Sequence, residues 1–538
     1  MYDLIIVGAG LSGAHAAYVI KKKHKNMRIL MIEGKSRVGG RTETVEKPSV
    51  LDPNKKTKWD LGGQWVGASQ KNVMKLINEL NVETYRQFTT GKKLLELNGQ
   101  VSEYCKTVPS TSLFSKLDME NYITKLDEIT EKISSVQPYS AENDVKDLDS
   151  KNLKDYLDSI SYTPSVKGIF QSNIRGIAGL ETEQVNGLFG LAYIRSSNGI
   201  ESITGASEGA AQEKRMKGGA QQLTEKMIEF IRQQSTAGRD SEFKLMLNTQ
   251  LVEIVQSEEN EDEPVRVVTR STLNNEMETF VARKVISSIP INQYVNVSFK
   301  PELPLYKRQV FKFCQIGNYT KFIVTYKTHF WRAKGYSGEM SSDGSVIHLS
   351  EDKFDAVYGK EKHKLSFNKR MPTIGAVVET FDCSTYDDEP AIVGFLAGNG
   401  SNEWGDLTME LRREEVIEGL VRYFGPEARN YVEYIEKNWA YEVSFFLKCF
   451  VIVMILLTIS LKSNLILAVC WWMSKLEHHI EQRDEGLCES DTRAIHQCSP
   501  VRHRIGHRMD RLHGRRRRKW RTSGQRSLVR SLWRQVGH

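Results

Sequence analysis

Gly8, Gly10 and Gly13 stand in G-x-G-x-x-G spacing within "MYDLIIVGAGLSGAHAAYVIKKK", and an acid, Glu33, closes the next apolar run, "MRILMIE". Each part has a physical reason. Gly8 permits a tight strand-to-helix turn, Gly10 lets backbone approach a pyrophosphate, and Gly13 allows close helix–strand packing. Free N–H groups at the helix start then face phosphate oxygens, with the Ser12 hydroxyl beside them. Glu33, followed by Gly34, falls where a carboxylate meets ribose hydroxyls. A glycine triplet alone is a weak signal and can be a tight turn in another parallel sheet. Strand, triplet, helix, strand and terminal acid together predict a dinucleotide site.

Two further glycine turns extend it. "GKSRVGGRTET" supplies Gly39, Gly40 and Arg41, which suits a larger anionic cofactor and favours FAD over NAD. "WDLGGQWVG" supplies Gly62 and Gly63 beside Gln64 and Trp65, a second backbone-close loop or else a plain β-turn.

The elements that hold these residues belong to a chain of 538 residues, long enough for two or more domains. Its net charge of +8 would suggest nucleic acid, but residues 500–538 alone hold 13 Lys and Arg against one Asp. The body without that tail is mildly acidic, so the reading is no nucleic-acid partner despite the "RRRRK" run Arg515–Lys519. Seven scattered cysteines offer neither a disulfide framework nor a metal site. With a strand beginning at Tyr2 and no secretory signal ahead of it, the body reads as intracellular. Residues 113–160 carry helical periodicity with many charges.

In order along residues 1–442, the runs "VGAGLSG", "IEGKSRVGGRT", "DLGGQWVG", "EGAAQEKRMKGG", "ISSIP", "PELP", "GNYTKFIVTYKTHFWR" and "IEKNWA" resemble the flavin-containing amine oxidases, the monoamine oxidase family. The resemblance implies an α/β fold, with a FAD/NAD(P)-binding Rossmann-like domain interleaved with an α+β substrate domain. The FAD domain would take 1–78, 210–292 and 390–442, and the substrate domain 79–209 and 293–389. It also implies that Lys321 holds a water against the flavin, that Gln212 and Tyr336 line the substrate cavity, and that the backbone of Val252 meets the adenine. Read by themselves, Lys321 is equally a strand-end lysine snorkelling to water. Gln212 and Tyr336 are equally core-edge polar residues, and Val252 a strand valine.

After "EKNW" the family continues through a G-G-C stretch and a later glycine-rich segment that closes the flavin site; neither is written here. Instead residues 443–473 are apolar and 474–538 basic. One reading is a membrane anchor, as in mitochondrial members of the family. Its longest clean run, Cys449 to Leu461, is shorter than the ~20 residues that span a bilayer. The other is a retained intron between Val443 and Val469, with a shifted frame beyond it and a disordered tail. In that frame Trp471 and Trp472 both become glycine codons, restoring the G-G pair. Met509-Asp510 gives an obligatory Trp, and Trp520 a Gly, in the family's register.

These readings converge on a FAD-dependent oxidase that takes primary or secondary amines to imines and aldehydes and reduces O2 to hydrogen peroxide. The alternative within the class is a polyamine or L-amino-acid oxidase. The alternative outside it is a catalytically silent flavoprotein that lacks its closing segment. Oligomeric state is not legible in the sequence.

Overall fold

The computed structural model describes residues 1–105, 112–140, 143–235, 242–257, 263–344, 347–348, 373–374, 377–405, 407–442 and 465–467. All of them fall within one compact unit, Met1–Cys470. Two large sheets organise it.

The first sheet grows from Tyr2–Val7, "YDLIIV", whose last four residues are buried. A short, continuous apolar run suits a strand covered on both faces. It pairs in parallel with Ile29–Ile32 on one side and Met277–Ser287 on the other, Ile5 standing opposite Leu30 and Val285. The spatial order is Phe243–Met246, Ile29–Ile32, Tyr2–Val7, Met277–Ser287, Val265–Ser271, Thr249–Val255, Ser298–Lys300. Alternate residues feed two cores. Leu4, Ile6, Ile29 and Met31 pack under the helices Leu11–Lys23 and Gln222–Ser235, where Ala14 and Ala17 permit a close approach. Ile5, Val7, Leu30 and Ile32 pack against Leu251, Val267 and Phe280.

The second sheet runs Tyr431–Asn438, Tyr319–Tyr326, Ala391–Ala397, Val377–Asp382, Tyr336–Ser342, Lys92–Leu97, Gln100–Tyr104. Its pairings are antiparallel except that of Tyr336–Ser342 with Lys92–Leu97. On one face Phe322, Val324, Leu396 and Val377 pack under the helix Met409–Phe424. On the other, Ile323, Val393 and Phe381 meet Trp59, Leu61 and Trp65. Within the stretch 113–160 expected to be helical, helices form at Leu113–Glu131 and Leu153–Ile160, and Pro164–Ala178 and Gly187–Ser196 complete their core.

Sheet membership corrects the expected domain limits. Residues 390–442 do not join the dinucleotide sheet, because Ala391–Ala397 and Tyr431–Asn438 flank Tyr319–Tyr326 in the second sheet. Ser298–Lys300, expected in the substrate domain, pairs with Thr249–Val255 of the first.

Of the apolar segment 443–473, only Leu465–Leu467 are described. They form a strand parallel to Met277–Ser287, which is not part of a bilayer-spanning helix. The remainder of that segment and the basic tail lie outside the described residues. Among the described residues, no helix is long and apolar enough to cross a membrane.

Candidate active site

The dinucleotide cleft opens at the end of Tyr2–Val7. Gly8 has φ +98°, a conformation that disfavours side chains, and a Cβ on Gly13 would sit 2.0 Å from the Gly8 carbonyl oxygen. Helix Leu11–Lys23 begins at Gly10 with no side-chain cap and no acid in its first turn. Its N-terminus, where Ser12 lies, therefore suits an anion. Gly10 bridges to Gly39, and a Cβ on Gly40 (φ +56°) would come within 3.1 Å of the Gly10 Cα, so two glycine turns face each other.

Glu33 is buried and accepts from the Ala9 N–H at 2.8 Å and the Lys35 N–H at 3.0 Å. Burial pushes its carboxyl above the usual range, and those two N–H groups oppose the shift. Glu33 and Gly34 open onto a cleft, with Thr249, Gln250, Ile289 and Gln293 opposite. Val252 is the extra residue of a β-bulge, since Leu251 pairs with Thr269 and Glu253 with Val268. Its backbone therefore stands outside that ladder.

The loop carrying Gly62 and Gly63 is pinned to Arg41. Gly63 N–H donates to the Arg41 carbonyl at 3.0 Å, and a Cβ on Gly62 would overlap the same oxygen. Nothing lies within 4 Å of a Cβ on Gly63, which faces open space.

Lys321 ties the second sheet to the Gly62–Gln64 loop. It is 2% exposed, and its Nζ donates to the Gly62 carbonyl at 2.9 Å and to Gln64 Oε1 at 2.7 Å. The ammonium sits 5.8 Å from the Trp65 ring centre and 5.9 Å from that of Phe395. Burial draws its pKa down to about 8, against the opposing pull of Cys383 and Asp60. Among the described residues, Gln64 Nε2 is buried without a hydrogen-bond partner. An unmet donor beside a buried lysine and an open glycine fits a ligand with acceptor atoms, such as a flavin.

Gln212 holds the Ile203 carbonyl through Nε2, and its buried Oε1 has no partner among the described residues. Tyr336 is not brought to Lys321. Its hydroxyl donates to Glu103, and its ring meets Phe424 in the core on the sheet's opposite face. Tyr336 shares that face with Met340, under the helix Met409–Phe424, so the expected cavity position is corrected.

Residues missed in the sequence surround the site. Arg215 is held beside Trp65 by strand pairing and donates to the Ser384 carbonyl at 2.9 Å. Buried Asp60 accepts from Thr44 and the Ala220 N–H. Lys35 and Lys437 both pair with Glu442 and lie over the Trp439 ring, whose N–H holds the Leu61 carbonyl at 3.0 Å. Lys35, Asp60, Arg215, Lys437 and Trp439 all lie within the runs that carry the family resemblance, so the sequence marked their neighbourhood and not their contacts.

Residues 9–453 match the model of the flavin containing amine oxidoreductases. The chain belongs to that family. Over 443 residues it is 27% identical to the probable flavin-containing monoamine oxidase A of Dictyostelium discoideum, covering 82% of this chain and 84% of that one. It is 28% identical to human flavin-containing amine oxidase B over 443 residues, covering 82% and 74%. A putrescine oxidase structure shares the fold with a TM-score of 0.68 at 24% identity, covering 84% of this chain and 87% of that one. The cyclohexylamine oxidase of Brevibacterium oxydans does so at 0.66 and 22%, covering 82% and 85%. The family match extends beyond Glu442, where the recognisable motifs stop. The chain is thus a FAD-dependent amine oxidase by family, and the glycine turns, Glu33 and Gln64 are the groups that fit the cofactor.

Proposed function

We propose that this chain oxidises primary or secondary amines at the carbon beside nitrogen, returning the electrons to O2 as hydrogen peroxide. The observation that carries the reading is Lys321, a buried lysine between two aromatic rings whose partners, Gly62 and Gln64, come from the dinucleotide side. FAD, when bound, supplies the two-electron acceptor. Gly8, Gly10, Ser12, Gly13, Gly40 and Arg41 hold its phosphates, Glu33 and Gly34 its ribose, and the Val252 backbone its adenine. Gly62, Gly63, Gln64 and Trp65 border the flavin.

The protein's own contribution is a dry, apolar pocket. There an amine binds without its proton, and its lone pair can form the C=N bond as hydride leaves the neighbouring carbon. With FAD in place, Lys321 and Gln64 would hold a water beside it, and Gln212 would line the substrate side. The imine then hydrolyses to an aldehyde.

One observation favours a second reading for this polypeptide as written, a silent flavoprotein: the G-G-C and closing segments do not follow Trp439. The two readings separate on expressing the 538-residue chain beside a version with the restored frame after Glu442. We expect a yellow, peroxide-forming protein from the restored chain. A restored chain that binds FAD yet forms no peroxide with any amine contradicts the proposal.

A further inference from the structure

Gln87 directly follows the short strand Thr84–Arg86 and is buried, with 7% of its surface exposed. Its amide nitrogen uses both hydrogens. Nε2 donates to the Asp382 carbonyl at 2.6 Å and to the Phe88 carbonyl at 3.2 Å. A flipped amide would set its oxygen against both carbonyls, so these bonds fix which way the group faces. Oε1 is left aimed at Trp65, whose indole Nε1–H donates to it at 2.8 Å.

The anchor behind this bond is itself locked. The Gln87 backbone N–H donates to the Glu213 carbonyl at 2.9 Å. The carboxylate of Asp382 accepts from the Trp331 indole at 2.9 Å and from the Arg332 guanidinium at 2.7 and 2.9 Å. A group held this way can fix the rotamer of its neighbour.

Trp65 is a ring of the candidate active site. Its centre is 5.8 Å from the Lys321 ammonium, and the ring keeps some accessible surface. It stands edge-to-face against Phe381 at 5.0 Å and tilted against Phe395 at 5.9 Å. Strand pairing with Arg215 holds its backbone but leaves two side-chain torsions to be set. Apolar contacts are non-directional and do not choose which edge of the indole carries the N–H toward the protein. The bond to Gln87 does choose it.

We propose that Gln87 is a positioning residue that locks the Trp65 indole, its N–H turned into the protein, as a fixed apolar wall of the amine site. The inference rests on the amine-oxidase reading above and adds a determinant of its specificity. A fixed ring sets the width available beside Lys321, so amines of different breadth are told apart. An indole N–H that is already engaged also cannot donate to the lone pair of the neutral amine, which must stay free to form the C=N bond.

The test reads the ring and the site separately. Fluorotryptophan incorporated throughout the full chain gives one fluorine resonance that disappears in Trp65→Phe and so reports this indole. We expect Gln87→Met, close in volume to the parent side chain, to shift or broaden that resonance. On the FAD-loaded full chain, calorimetric titration with 1-aminobutane and with benzylamine gives the ratio of their Kd values. Gln87→Met should change this ratio about fivefold or more. In a Trp65→Phe background, which has no indole donor, the same substitution should change it by less than about twofold. A glutamine that served stability alone would weaken both amines alike. An unmoved Trp65 resonance, an unchanged ratio, or an equal change in the Trp65→Phe background overturns the inference. Should Gln87→Met fail to fold, the parent still decides. Its Trp65 indole proton, assigned through Trp65→Phe, should resonate downfield of free indole, and a free-indole position overturns the inference. Binding of neither amine by the FAD-loaded chain would instead contradict the amine-oxidase reading, and the Trp65 resonances would still judge Gln87.

Discussion

The ammonium of Lys321 donates to the carbonyl of Gly62, tying a central strand of the second sheet to a loop of the dinucleotide side. The same ammonium also holds Gln64 Oε1, which leaves the amide nitrogen of Gln64 for another partner. The site is thus assembled from segments more than 250 residues apart in sequence.

The buried lysine makes stability depend on pH in a defined direction. Its folded pKa of about 8 lies below the ordinary value of 10.5. Below pH 8 both folded and unfolded chains carry the proton, and the cost of burying the charge is fully present. Between these values only the unfolded chain binds it, so stability rises with pH, by on the order of 3 kcal/mol across the window. Lys321→Met lacks this dependence. Denaturant melts of both proteins at pH 8 and pH 10.5 should show their stability difference moving in favour of the parent as pH rises.

Gly13 is fixed by contact with the strand-to-helix turn. A Cβ there would overlap the Gly8 carbonyl and come within 2.7 Å of Ser288 Oγ. Gly13→Ala should cost about 3 kcal/mol or more, because backbone rather than a flexible side chain is in the way. Urea unfolding of the cofactor-free protein measures this.

Glu33 serves both the fold and the cofactor. Each of its carboxylate oxygens accepts one backbone N–H, so the amide of Glu33→Gln keeps only one of the two, and the charge that would strengthen hydrogen bonds to ribose hydroxyls is lost. FAD affinity should fall about tenfold or more, read as free flavin fluorescence after dilution.

Much of the dinucleotide half was legible because its signals are local. Gly8, Gly10, Gly13 and Glu33 lie within one βαβ unit, where each glycine answers a steric demand of its own turn. Lys321 came from the family resemblance, because a lysine in "KFIVTY" read by itself could as well snorkel to water; the structure buries it. Tyr336 was misplaced because nothing in its local sequence marks which face of the sheet packs under the helix Met409–Phe424. Asp60 and Arg215 were missed for a different reason. Their role comes from strand order and lateral register, and the strands that set it are distant in sequence. Residues 390–442 were assigned to the wrong sheet on the same account, since two antiparallel strands there complete a sheet begun far upstream.

The most direct test of the account is anaerobic mixing of the FAD-loaded protein, its frame restored after Glu442, with excess alkylamine or diamine. The account predicts that the yellow flavin bleaches, that readmitted oxygen restores it with one peroxide per flavin, and that Lys321→Met, retaining its FAD, is reoxidised or reduced at least tenfold more slowly. Full retention of FAD with no bleaching by any amine would contradict it.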